Sequence, residues 1–105
     1  GKVIMEKRLD GDVIRLILNE DLTANNVSRF NERLDELVPT TTSFQTLVLD
    51  LSGTQNIDSV GVTFVIGVFK RMKSEQKIFK VSGATDDVQS LFRLMKLDQF
   101  FEMES

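Results

Sequence analysis

One short stretch, Asp58-Ser59-Val60-Gly61, has the residue types and spacing to present a reactive hydroxyl. It stands where a polar turn gives way to a long apolar run. With Asp58 as N-cap, Ser59 is the first residue of a helix and Gly61 the third. The unpaired N–H groups of a helix start attract negative charge, and Gly61 has no side chain to crowd the serine. A hydroxyl displayed there is suited to accept a phosphoryl group. The plainer alternative is that Asp58 and Ser59 only cap the helix, a common use of both residue types. Ser52 and Thr54 in the preceding turn, and Thr63 one helical turn on, are competing hydroxyls; Ser59 is preferred among them.

Little else in the chain can do chemistry. It has no cysteine, histidine, tyrosine or tryptophan. Thiolate catalysis, disulfides, Cys- or His-ligated metals and a Ser-His-Asp triad are therefore excluded. Asp10-Gly11-Asp12 and Asp86-Asp87 lack the ligand spacing of a calcium loop, so a turn and a helix start account for them. No glycine-rich loop ending in Gly-Lys-Ser/Thr is present, so any nucleotide would belong to a partner. Thirteen basic against sixteen acidic residues give a net charge of −3, which does not favour nucleic acid or an anionic membrane. The expectation is a protein that is not an enzyme and needs no cofactor.

The elements that must hold Ser59 can be read from periodicity. The 105 residues suit one domain, 1–105, with a core of its own. Val3 to Lys7 and Val13 to Leu18 read as strands of an antiparallel hairpin turned at Gly11-Asp12. Thr23 is the expected N-cap of a helix whose apolar face is Ala24, Val27, Phe30, Leu34 and Leu37, stopped by Pro39. Thr46 to Leu51 is a strand. Ile57 to Lys73 is β-branched, yet its length, its Asp-Ser start and its closing Lys70, Arg71 and Lys73 predict a buried helix. Lys77 to Val81 is a strand ended by Ser82-Gly83. Val88, Leu91, Phe92 and Met95 mark a further helix beginning at Thr85-Asp86-Asp87. Phe100 to Met103 reads as a last edge strand. The phenylalanines read as core, with Phe69 and Phe101 expected at the surface in part. The order β-β-α-β-α-β-α-β implies an α/β fold, one mixed sheet with helices packed against it.

Leu49-Asp50-Leu51-Ser52-Gly53-Thr54-Gln55-Asn56-Ile57-Asp58-Ser59-Val60-Gly61 resembles the core signature of STAS-domain proteins, and of the bacterial anti-sigma factor antagonists in particular. The likeness extends through Lys70-Arg71-Met72-Lys73, Val81-Ser82-Gly83 and the Val88 to Met95 helix. Two departures stand out. The family often has a second glycine two positions after the first, where this chain has Thr63. Its Gly-Glu-x-Asp segment is replaced by Asn19-Glu20-Asp21-Leu22-Thr23-Ala24, which has no glycine.

The resemblance implies that Ser59 is phosphorylated, framed by Asp58 and Gly61, by a partner that is both anti-sigma factor and serine kinase. It also implies a protein phosphatase that resets the switch. Glu20, Asp21, Thr23, Asn56, Val60 and Thr63 are the candidate partner-binding residues. The alternative is a non-switching STAS scaffold or accessory subunit of a larger assembly, of stress-sensing or lipid-transport type. No signal peptide is legible, Gly1 fits the residue left by methionine removal, and Met5 stands where a myristoylation motif expects a hydroxyl. A cytoplasmic protein with no membrane insertion is expected.

Overall fold

In the computed structural model, which describes residues 3–104, the elements follow the expected order. The reading of Gly1 lies outside the described residues. The strands are β1 (Met5–Asp10), β2 (Val13–Leu18), β3 (Thr46–Asp50), β4 (Ile78–Ser82) and β5 (Glu102–Glu104). The helices are α1 (Ala24–Leu37), α2 (Ser59–Ser74) and α3 (Asp86–Leu94), with a short 3-10 turn at Leu97–Gln99. The sheet order is β1-β2-β3-β4-β5. The first pair is antiparallel and the other three are parallel. Each parallel step joins neighbouring strands through one helix. Right-handed crossovers then place α1, α2 and α3 on one face of the sheet.

β1 is shifted from the expected Val3 to Lys7 because pairing overrides local composition. Asp10 lies opposite Val13 and Met5 opposite Leu18, so the strand runs up to the Gly11-Asp12 turn. Gly11 takes φ +60 there, which glycine adopts freely. β5 is likewise displaced to Glu102–Glu104, and Phe100 and Phe101 precede it. Phe101 is buried, whereas Phe100 is 62% exposed and Phe69 half-buried. The expected exposure of Phe101 therefore belongs to its neighbour.

Alternation divides β2 cleanly. Ile14, Leu16 and Leu18 are buried under the helices, while Val13, Arg15 and Ile17 face the uncovered side. Phe30 of α1 and Phe64 of α2 meet in the same core with ring centroids 5.8 Å apart. Truncating such a buried ring costs about 3–5 kcal/mol. α2 buries Val62, Phe64, Val65, Val68 and Met72, which fixes the orientation of its N-terminus.

Candidate functional site

The loop before α1 and the turn before α2 are zipped together. Leu22 and Ile57 form an isolated parallel bridge. The Leu22 amide donates to the Asn56 carbonyl at 3.0 Å, and the Asp58 amide to the Leu22 carbonyl at 3.1 Å. The Asp21 carboxylate accepts from the Gln55 and Asn56 amides and from the Asn56 side chain. Thr54, fully buried, donates its hydroxyl to the Glu20 carbonyl at 2.8 Å. A Cβ on Gly53 would lie 2.6 Å from the Leu18 carbonyl oxygen, so this turn approaches the end of β2 more closely than a side chain permits.

Asp58 completes the junction. Its carboxylate accepts from the Gly61 amide and from the Ala24 amide, each at 2.9 Å. One side chain thereby caps both α2 and α1. Thr23 occupies the N-cap position of α1 as expected, but its hydroxyl makes no capping bond; the carboxylate of Asp58 already serves the amide of Ala24. The hydrogen bonds from Ala24 and then Gly61 hold the Asp58 carboxyl below the usual carboxylate range, so it is ionised at neutral pH.

Gly61 has a different reason from the one its spacing suggests. It points into the junction, not toward the serine. A Cβ there would lie 1.8 Å from the Leu22 carbonyl oxygen and 2.9 Å from the Ile57 side chain. Only glycine lets the Leu22 strand pass this closely.

Ser59 is the first residue of α2 and is exposed. Among the competing hydroxyls, Ser52 donates to Asp50 at 2.6 Å and Thr63 to the Ser59 carbonyl at 2.9 Å, while Thr54 is sealed in the core. The Ser59 hydroxyl has no hydrogen-bond partner among the described residues and faces outward. Val60 beside it is 42% exposed. Glu20, Asp21 and Thr23 are half-buried, and Asn56, Val60 and Thr63 exposed; all lie at the end of the molecule formed by the two zipped segments. Asp21 and Asn56 are bound to each other there.

Two shallow grooves flank the exposed side of α2. One, about 360 Å³, runs between α2 and α3 from Ser59 past Ile66 to Leu91 and Met95. The other, about 370 Å³, runs between α1 and α2 past Thr63 and Gly67. Leu94, at the end of α3, is 80% exposed. The periodicity groups Val88, Leu91, Phe92 and Met95 on one apolar face of this helix. Val88 and Phe92 are buried, Leu91 is partly buried against the core, and Leu91 and the more exposed Met95 line the groove.

The basic residues of α2, Lys70, Arg71 and Lys73, lie at the end of the helix away from the serine. Arg71 is tied to Glu75 and to the Val38 carbonyl. A second carboxylate network lies on the uncovered face of the sheet. Burial pushes Asp50 up, but hydrogen bonds from Ser52 and Arg15 prevail and hold it below its ordinary value. Among the described residues, no group of three or more acidic side chains could hold a metal ion, and no helix is long and apolar enough to cross a membrane.

The family model described as "Mlab, STAS domain" matches residues 5–103. Among solved structures, the chain is similar to TM1081 of Thermotoga maritima, a candidate anti-sigma factor antagonist. The TM-score is 0.86 at 20% identity, over 96% of this chain and 86% of that one. It is similar to phosphorylated SpoIIAA of Bacillus, with a TM-score of 0.72 at 13% identity over 96% and 90%. It is also similar to part of the murine anion transporter Slc26a9, with a TM-score of 0.76 at 15% identity over 88% of this chain and 15% of that one. At these identities the structures establish the fold.

Proposed function

From the premise that this chain belongs to the STAS domain family, we propose that it is an anti-sigma factor antagonist controlled by phosphorylation of Ser59. Unphosphorylated, it binds a serine-kinase/anti-sigma factor and displaces that partner's other client. The partner transfers the γ-phosphoryl group of ATP to the Ser59 oxygen; the hydroxyl proton passes to a base of the kinase and ADP departs. A protein phosphatase returns the serine. The chain is substrate and ligand in this cycle, with the chemistry supplied by its partners.

The observation that carries the proposal is the exposed, unbonded Ser59 hydroxyl at the start of α2, between a buried glycine and a carboxylate already committed to capping. That commitment gives the phosphate its effect. Of the amides at the start of α2, that of Gly61 is taken by Asp58. A phosphoryl group adds about −1.5 to −2 charges beside that carboxylate. Repelled by Asp58, it projects outward over Val60 and the mouth of the α2–α3 groove. Docking there must then desolvate or repel the phosphate. A penalty of about 3 kcal/mol weakens a complex roughly a hundredfold.

The bound surface in this reading is the outward side of α2 with the loop from Glu20 to Thr23, including Asn56, Val60 and Thr63. The test is to incubate the protein with its candidate kinase partner and Mg-ATP and to follow both phosphate and complex.

A second reading is favoured by the double cap. Asp58 is fully occupied in joining two helices, as a purely structural motif requires, and the same fold forms part of a transporter. In that reading the chain is a non-switching accessory subunit that docks permanently through α2. A stable complex that never acquires phosphate supports it.

A further inference from the structure

The end of the molecule opposite Ser59 carries a concavity that phosphorylation does not touch. It holds about 630 Å³ between the C-terminal part of α2, the start of β4 and the segment leading into β5. Its floor is a packed set of aromatic rings. Phe69 lies 5.5 Å from Phe101 and 6.2 Å from both Phe79 and Phe100, and Phe79 meets Phe101 edge-on at 5.0 Å. On this rigid base sit two apolar side chains that the core does not claim, Phe100 and Ile78, the latter 49% exposed. Scattered exposed apolar residues are ordinary, but a contiguous patch over a preformed hollow marks a contact surface.

The charge around the hollow has the opposite sign to the chain as a whole. Lys73, Lys77 and Lys80 line it against one carboxylate, Glu102, whereas the chain carries −3. Lys80 is neutralised by Glu102 and Glu104. Lys77 is held on the Phe44 carbonyl at 2.8 Å, with its ammonium 3.7 Å from the Phe44 ring centroid, so its charge meets no carboxylate. Lys73 is exposed and makes no ion pair among the described residues. An acidic segment is repelled by the protein's average field and attracted at this end, which both selects and orients it.

We infer that the Phe69–Phe100–Ile78 hollow, with Lys73 and Lys77 on its rim, is a second docking site, for an acidic protein segment that inserts one aromatic or aliphatic side chain. Shape separates this occupant from others. A small ligand needs most of its surface enclosed, and a wall made by a mostly exposed Phe100 does not enclose it. A membrane surface cannot fill a hollow, and two lysines fall short of the roughly four to eight of a lipid-binding cluster. The site lies fourteen residues along α2 from Ser59, about 21 Å of helix. Both ends can therefore be occupied together, and the domain can bridge two proteins.

The test is an amide NMR titration of the full chain with a synthetic nine-residue peptide of Asp and Glu around one central Phe. The expected result is saturable shifts confined to the neighbourhood of Phe69, Lys73, Ile78 and Phe100. Affinity should fall at least tenfold in Phe100→Ser and in Lys73→Glu, and be unchanged in Ser59→Ala. Both rim residues are exposed, so both variants should keep the wild-type circular dichroism spectrum. No shifts at millimolar peptide overturn the inference. So do equal binding of a peptide in which Ser replaces the Phe, or shifts centred on Ser59. Binding to phosphatidylglycerol vesicles in preference to the peptide overturns it in favour of a membrane surface.

Discussion

Asp58 caps the helix that begins at Ala24, thirty-four residues before it in the chain, through a 2.9 Å hydrogen bond to the Ala24 amide. The same carboxylate caps its own helix at Gly61. The residue next to the proposed phosphoacceptor thus ties together the starts of α1 and α2, and the loop from Glu20 to Thr23 is fixed to the serine's surroundings.

Acid should loosen this junction. The folded-state carboxyl of Asp58 is held below its ordinary value of 3.8. A depressed carboxylate contributes stability that is fully present above the unfolded-state value and is lost as pH falls through the folded one. Urea midpoints should therefore be flat from neutral pH to about 4 and decline below it. Asp58→Asn, with one acceptor oxygen where two are used, should be less stable at neutral pH and lose less on acidification. Asp58→Ala should be less stable than Asp58→Asn at pH 7. An unchanged acid limb in Asp58→Asn would assign the decline to other carboxyls, Asp50 first among them.

Two glycines of α2 should respond in opposite directions to the same substitution. Gly61→Ala forces a methyl against the Leu22 carbonyl and should cost about 3 kcal/mol or more, since the obstacle is backbone. Gly67→Ala meets nothing within 4 Å and removes a helix-interior glycine, so it should stabilise by about 0.5–1 kcal/mol. Chemical denaturation of both variants checks the pair. If Gly67→Ala also weakens partner binding, the α1–α2 groove it lines is part of the interface.

Thr54→Val should cost about 1–2 kcal/mol, because it leaves the Glu20 carbonyl without its buried donor. The same burial should keep Thr54 unmodified in any kinase reaction. Denaturation and peptide mapping by mass spectrometry read the two outcomes.

Ser59→Ala and Ser59→Asp should both keep the wild-type circular dichroism spectrum, as the hydroxyl caps nothing and faces outward. The alanine variant should bind the partner constitutively and the aspartate variant poorly, which isothermal titration would show. Loss of fold in both would favour the capping-only role.

Periodicity was a sound guide wherever a local signal and the tertiary structure agree. Pro39 stops α1 at Leu37, and the β-branched run after Asp58 is a helix because its caps and basic end fit a helix dipole. The signal failed where partners distant in sequence decide. The start of β1 depends on which residue faces Leu18, and the exposure of Phe100 in place of Phe101 depends on how the last turn approaches β5. At the site, Ser59 and Asp58 were legible as a displayed hydroxyl and a cap. The bond from Ala24 to Asp58 and the passage of Leu22 under Gly61 were not, because both join segments more than thirty residues apart. The α2–α3 groove was hidden for a related reason. Leu91 and Met95 sit on an apolar stripe wider than the core α3 covers.

The most direct measurement mixes the purified protein with its candidate kinase partner and Mg-ATP, maps phosphate by mass spectrometry and follows the complex by size-exclusion chromatography. Phosphate on Ser59 alone, with the complex dissociating as it accumulates, is the predicted result. A complex that persists without phosphate, or phosphate on another residue, would contradict the switch and leave only the structural cap made by Asp58.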